Sequence, residues 1–256
     1  MPGAEPSLTE HGDGITAIDT DLLRPQFDAC HLVTAGERAA FVDSGVNASV
    51  PLFLATLEQK GIDPAAVDYL FLTHVHLDHA GGAGLLMQSL PNAKAVLHPR
   101  GAPHMIDPDK LIKGAMAVYG EDAYRAMYGD ILAIPEDRVI VAEDRQAFTF
   151  GGRSFVSVFT EGHARHHHCF HDPDSASVFT GDSFGLSYRE LDTEQGEFIY
   201  PTTTPVHFDP PEAHRAIDTV LSFEPEQLFL THYSRVTDID RLAGDLHKRI
   251  DDFVGM

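Results

Sequence analysis

Four short apolar runs in this chain each end in threonine, and each is followed by side chains that bind metal ions. After YLFLT (69–73) come His74, His76, Asp78 and His79. After SFVSVFT (154–160) come Gly162 and His163; after SVFT (177–180) come Gly181 and Asp182; after QLFLT (227–231) comes His232. Such short continuous apolar runs read as strands buried on both faces, the kind that helices cover in layered folds. In those folds ligands bind beyond the carboxyl ends of the strands. If the four strands end together, seven ligating side chains converge. The pentapeptide LFLTH occurs at 70–74 and again at 228–232, which points to a building block used twice.

The remaining pattern fits that frame. ITAIDT (15–20), RAAFVD (38–43), AKAVLH (93–98), RVIVAE (138–143) and QAFTF (146–150) read as further strands. VPLFLATLEQK (50–60) reads as an amphipathic helix stopped by Gly61, and GGAGLLMQSL (81–90) as another. PEAHRAIDTVLSF and DIDRLAGDLHKRIDDFV are helical, and PTTTPVHFDPP (201–211) is a loop. Strands alternating with helices give an α/β layered domain. No low-complexity linker divides the chain, so 1–256 is read as a single domain with two similar halves.

Residues 104–130 stand apart. Asp107 is placed as a helix N-cap with Pro108 at the first helical position, and LIKGAMAVYG closes on Gly120. EDAYRAMYGD makes a second helix. Met105, Met116, Tyr119, Tyr124, Met127 and Tyr128 make this pair rich in adaptable apolar side chains. They serve either as ordinary helical packing or as a lid or pocket wall over a site.

Composition narrows the function. A formal net charge of −21 repels phosphate backbones, and the short HKR at 247–249 runs into Asp251 and Asp252, so a nucleic-acid partner is not expected. Two cysteines make no disulfide framework. The polar N-terminus has no leader-like apolar core, and no apolar run reaches the ~18–20 residues of a membrane span. A soluble cytoplasmic protein acting on a small molecule is the expectation, with a homo-oligomer left open. The 16 histidines nearly equal the 18 lysines and arginines, and histidine is the commonest metal ligand.

His-x-His-x-Asp-His puts three imidazoles and a carboxylate in six residues. Extended geometry turns residues i and i+2 to one side, so His74 and His76 can share an ion. Asp78 and His79 follow a turn later and can face a second one. Gly81 and Gly82 then allow close backbone approach. The other three are weaker alone: His163 could be a surface histidine, Asp182 a turn residue, and His232 a satisfied core histidine. Their shared strand-threonine context argues for all three together.

THVHLDHAGG, with GH at 162–163, GD at 181–182 and TH at 231–232, resembles the metallo-β-lactamase superfamily over about residues 15–240. The resemblance implies a four-layer αββα sandwich of two pseudo-repeated halves, here with a helical insertion near 104–130. It is closest to the glyoxalase II-like and lactonase-like hydrolases, and unlike the secreted antibiotic-hydrolysing members. It implies two divalent ions, zinc first, with ferrous iron or manganese also suited to these donors. His74, His76 and His163 would hold the first ion, Asp78, His79 and His232 the second, and Asp182 both. Asp43, in FVDSG, matches an aspartate that hydrogen-bonds a ligand histidine; the plainer reading is a turn-former before Ser-Gly.

Two departures matter. His166 replaces the glycine of the family's GHTxGH, and His167 matches its second histidine, so His167 is read as a support for a ligand or a substrate contact. His166 and His168 are expected at the solvent surface. The chain also ends soon after His232, so the helical extension that binds glutathione in glyoxalase II is not expected.

The implied activity is hydrolysis of a small ester, thioester, lactone or phosphoester by a hydroxide bridging two ions about 3.5–4 Å apart. Asp78 and Asp182 would orient the hydroxide or accept a proton. Tyr188, His207, Tyr233, His104 and His167 are candidate substrate contacts, with packing as the plainer role for each. Two alternatives remain at this level. One is a mononuclear iron oxygenase like the persulfide dioxygenases. The other is a non-catalytic, metal-containing member that binds a ligand or regulates.

Overall fold

The computed structural model describes residues 5–203 and 207–255. The first four residues of the polar N-terminus, and 204–206 inside the expected 201–211 loop, lie outside them.

Among the described residues, thirteen strands form two sheets. The first runs in chain order: β1 (Leu8–Gly12), β2 (Ile15–Asp19), β3 (Ala29–Ala35), β4 (Arg38–Val42), β5 (Val67–Phe71), β6 (Lys94–Leu97) and β7 (Val139–Val141). It is antiparallel from β1 to β4 and parallel from β4 to β7. The second contains β8 (Ala147–Phe150), β9 (Arg153–Phe159), β10 (His168–Asp172), β11 (Ser177–Gly181), β12 (Gln227–Leu230) and β13 (Ser234–Val236), in the order β13-β12-β11-β10-β9-β8. Only its β11–β12 pair is parallel. Helix α1 spans Val50–Gln59, α2 Leu77–Ala80, α3 Ala83–Ser89, α4 Ala102–Ile106, α5 Asp109–Tyr119, α6 Glu121–Tyr128, α7 Pro210–Leu221 and α8 Ile239–Val254.

Three apolar layers hold these elements. Phe71, Phe148, Phe155, Phe170, Phe179 and Phe229 fill the space between the sheets. Phe41, Phe53, Leu70, Leu72 and Leu86 pack under α1 and α3 on one outer face. Leu228, Leu230, Ile217, Val220, Leu242 and Leu246 pack under α7 and α8 on the other. The architecture is therefore helix, sheet, sheet, helix, as the resemblance implies. The alternation along a strand explains both copies of LFL. Phe71 and Phe229 face the sheet–sheet core, while the flanking leucines face the helices.

Several elements differ from the sequence expectation. β1, β3, β10, β13 and α4 were not legible. β10 lies in the His-rich run at 168–172, where polar side chains mask the period. Helix α5 begins at Asp109 rather than Pro108, and Asp107 Oδ1 accepts the Asp109 amide at 3.3 Å. The cap therefore acts two residues before the helix start.

His31 and His168 are fully buried, and burial pushes each pKa down to about 3. A depressed folded-state pKa gives stability that is complete above the unfolded value near 6.5. It is lost as pH falls from there toward 3, at up to roughly 1.4 kcal/mol per pH unit for each histidine. The urea midpoint should therefore drop between pH 7 and pH 5, and His31→Gln should flatten that drop. An equal slope in wild type and variant would refute the assignment.

Candidate metal centre

The carboxyl ends of β5, β9, β11 and β12 meet at one rim of the sandwich. β5 runs into Thr73 and His74, and α2 then presents Asp78 and His79. Gly181 has φ +50°, and a Cβ there would lie 2.7 Å from Thr73 Oγ1 and His167 Nε2, so only glycine lets β11 deliver Asp182 this close. The threonines are not ligands. Thr73 and Thr231 donate their hydroxyls to Asp43, at 2.9 and 3.1 Å, while Thr160 Oγ1 lies 3.0 Å from His167 Nδ1.

The seven expected side chains converge. His76 Nδ1 lies 2.9 Å from His74 Nε2 and 3.0 Å from His163 Nε2. Asp182 lies 3.3 Å from His163 Nε2 through one oxygen, and 3.4 and 3.6 Å from His79 Nε2 and His232 Nε2 through the other. Asp78 Oδ2 is 3.5 Å from His232 Nε2 and 3.8 Å from His79 Nε2. Three sets have one donor atom each within 4.8 Å of one another: His74/His76/His163, His74/His79/Asp182 and Asp78/His79/His232.

The nitrogens facing away from the centre are held by the protein. His79 Nδ1 is 2.9 Å from Asp43 Oδ2, His163 Nδ1 is 3.2 Å from Thr202 O, and His232 Nδ1 is 3.0 Å from Phe27 O. Each acceptor keeps a proton on the outer nitrogen and turns the inner nitrogen toward its neighbours. Asp43 itself is 1 % exposed, has φ +60°, and also accepts the Thr73 amide at 2.8 Å.

The electrostatics divide the cluster. Burial pushes His74 well below its ordinary pKa and His76 down to about 3, and it also lowers His163. These three imidazoles are neutral, with lone pairs converging at about 3 Å. At His79 and His232 burial works in the same direction but is overridden by the carboxylates. Asp182 and Asp78 hold His79 well above its usual value and His232 at about 9. Burial would raise Asp78 and Asp182, but the surrounding imidazoles draw both below the usual carboxylate range. Converging lone pairs beside ionised buried carboxylates call for positive charge at the centre. His79 Nε2 and Asp182 Oδ1 are buried without a hydrogen-bond partner, aimed at that same space. The residues fit divalent cations, and the nitrogen and carboxylate donors suit zinc, iron or manganese.

The sequence profile of the metallo-beta-lactamase superfamily matches residues 23–232. The chain belongs to that superfamily. A metallo-beta-lactamase fold-containing protein of Sulfurisphaera tokodaii is 30% identical over 186 residues, covering 71% of this chain and 64% of the relative. The solved structure of an archaeal superfamily protein from Sulfolobus tokodaii superposes with TM-score 0.76 at 26% identity, covering 93% of this chain and 86% of that one. An atrochrysone carboxyl ACP thioesterase of Aspergillus fumigatus is 30% identical over 117 residues, 46% of this chain and 27% of the relative. An N-acyl homoserine lactonase of Azorhizobium caulinodans is 28% identical over 117 residues, 46% of this chain and 40% of the relative. The chain thus spans just under two thirds of the first of these relatives and less of the other two.

Around this superfamily site, several sequence expectations change. His167 is fully buried; its Nε2 accepts the Asp182 amide at 3.1 Å and its Nδ1 lies 2.9 Å from Ser183 Oγ. Its ring supports the backbone of Asp182. His166 and His168 are buried, not at the surface: His168 joins β10 and bonds Leu72 O at 2.7 Å, while the His166 ring stacks 6.0 Å from His74. Tyr233 is only 6 % exposed and burial pushes its pKa up to about 12, so it is a packing residue. Tyr188 stays near the rim, 5.5 Å from the Phe27 ring and 6.3 Å from the His232 ring. His207 lies 6.2 Å from His166, and His104 is half-buried on α4.

Sequence reasoning missed Phe27, Asp28 and Thr202. Phe27 and Thr202 act through backbone carbonyls, which leave no mark in a sequence. Asp28 is fully buried, and burial raises its pKa to about 7 despite His232 and His79. The helical insertion closes one side: Tyr124, Tyr128 and Ile131 pack with Leu77 and Val46, and burial, with the charge of Asp78, raises the Tyr128 pKa. Asn47 fixes the end of α6 by donating to Tyr128 O at 3.0 Å and Asp130 O at 2.8 Å. Among the ligands, His76 and Asp78 are the half-exposed pair, so the centre opens above them.

Proposed function

We propose that this protein is a hydrolase that uses two divalent cations, most readily zinc, on a small ester, thioester, lactone or phosphoester. The observation that carries the reading is that donor atoms of seven side chains gather in three sets within 4.8 Å, with His79 Nε2 and Asp182 Oδ1 buried among them and making no hydrogen bond. His74, His76 and His163 would hold one ion, Asp78, His79 and His232 the second, and Asp182 both. Such ions, when bound, activate water near neutral pH and polarise a carbonyl or phosphoryl group.

The chain's own groups do the rest. Asp43, Phe27 O and Thr202 O orient three ligand imidazoles. Asp78, whose side chain is 28% exposed, is the ligand carboxylate more open to solvent and would orient the attacking water. Leu77, Tyr128 and Ile131 give the apolar part of a substrate a dry wall. Two relatives named as a lactonase and a thioesterase favour cleavage of an acyl–oxygen or acyl–sulfur bond. The complete Asp78/His79/His232 set counts against a mononuclear oxygenase.

Purified protein should contain two divalent ions per chain and turn over members of a lactone and thioester panel. Chelation should abolish turnover, and added zinc or manganese should restore it. Turnover indifferent to chelation, or a single iron with oxygen uptake, would overturn the reading. Tyr128→Ala should raise KM several-fold with metal content unchanged, because it removes wall area without touching a ligand; an unchanged KM across the panel would remove the wall from the substrate site.

A further inference from the structure

On the outer face, away from the centre, α7 and α8 pack with their apolar stripes inward: Ala213, Ala216, Ile217 and Val220 on one, Leu242, Leu246 and Ile250 on the other. The neighbouring rows carry a histidine and an aspartate at i and i+4 on each helix, His214/Asp218 and His247/Asp251. Residues so spaced lie one above the other on a helix face. The two rows meet across the helix pair. His214 Nε2 lies 3.2 Å from Asp251 Oδ1, and His247 Nε2 lies 3.3 Å from Asp218 Oδ1. The imidazole planes differ by 7°, with centroids 4.9 Å apart, and the two Nδ1 atoms face each other at 2.6 Å.

Asp251 accepts a hydrogen bond from His214 Nε2, and the Asp218 carboxylate 3.3 Å from His247 Nε2 favours a proton there as well. Two neutral imidazoles held that way direct their Nδ1 lone pairs at one another, which is repulsive unless a positive charge lies between them. The centre described above shows a similar approach of ring nitrogens, at 2.9 and 3.0 Å, with the outer nitrogen of His163 held by Thr202 O. A histidine whose far N–H is given to a carboxylate is the usual form of a metal-ligating histidine. Both rings are about 30% exposed at the side chain, so an ion can enter from solvent.

We infer that α7 and α8 carry a second, surface metal site, in which His214 Nδ1 and His247 Nδ1 bind one borderline divalent cation of the zinc, nickel or copper type. Asp251 and Asp218 orient the two ligands and offset the charge, and water completes the coordination. The two Nδ1 atoms meet head-on in one plane, so tetrahedral zinc with bonds of about 2.0–2.1 Å needs the nitrogens about 3.3–3.4 Å apart and each ring turned by roughly 35°. Such movement is open to half-exposed side chains. An ion there would clamp the two helices that cover the second sheet.

The test is zinc titration, by calorimetry and by elemental analysis after gel filtration, of the protein with its active-centre ions in place. Wild type should take up one more zinc per chain than His214→Ala/His247→Ala, and zinc should raise the melting temperature of wild type alone. Asp218→Asn/Asp251→Asn should weaken the extra site about 10–100-fold. Equal uptake by wild type and the histidine variant would overturn the inference and leave a shared proton between the rings. Should the histidine variant fail to fold, the aspartate variant decides by the same titration: unchanged affinity sinks the site.

Discussion

Asp182→Asn should lose at least one of the two active-centre ions and reduce kcat/KM about 10³-fold or more, the scale seen when a group that stabilises charge at a reacting centre is removed. The carboxylate lies 3.3–3.6 Å from the inner nitrogens of His163, His79 and His232. The other carboxylate, Asp78, lies 3.5 and 3.8 Å from His232 and His79. The amide keeps the shape but removes the charge, and it turns an NH₂ toward imidazole nitrogens. The fold should survive, because the amide keeps the packing and His79 and His232, no longer held protonated by Asp182, can turn neutral instead of staying buried and charged. Elemental analysis and steady-state kinetics on the same preparation check the claim. Full metal content with full activity would remove Asp182 from the centre.

Asp43→Ala should be the most destabilising single change near the site. Its carboxylate serves the Thr73 amide, the Thr73 and Thr231 hydroxyls and His79 Nδ1, all within 3.1 Å. Removing one partner of a buried charged network costs about 3–5 kcal/mol. At about 2–4 °C per kcal/mol for a chain near this length, the melting temperature should fall by about 6–20 °C. Asp43→Asn separates stability from metal binding. It keeps one acceptor for the Thr73 amide, but presents a donor to His79 Nδ1 and so unsettles the tautomer. Metal affinity should fall about 10–100-fold with a smaller loss of stability. Wild-type affinity in the Asn variant would reduce Asp43 to a structural role.

How much of this was legible depended on what each residue does. His74, His76, Asp78 and His79 were readable because ligating side chains packed after an apolar strand have few other uses. His163, Asp182 and His232 were readable only through their strand-threonine setting. His166 and His168 were expected at the surface because a run of polar side chains carries no burial signal. β10 begins at His168, whose ring bonds Leu72 O, while His166 and His167 lie in the turn before it, against His74 and against Thr160 and Asp182. Phe27 and Thr202 had no signal, since a carbonyl oxygen is present at every position. The i, i+4 rows on α7 and α8 were visible as spacing, but nothing in one helix says which face of another it will meet.

By itself the sequence determined the layered α/β class, the order of the strands that end in histidine and aspartate, and the donor chemistry those side chains offer. Hydrophobic period and donor type are local properties, written residue by residue. Only the tertiary structure decided which strand ends share a rim, which carbonyls hold the imidazoles, and why LFL recurs. Phe71 and Phe229 enter the single space between the sheets, while their leucine neighbours face opposite helical layers. That choice depends on burial against partners more than a hundred residues away.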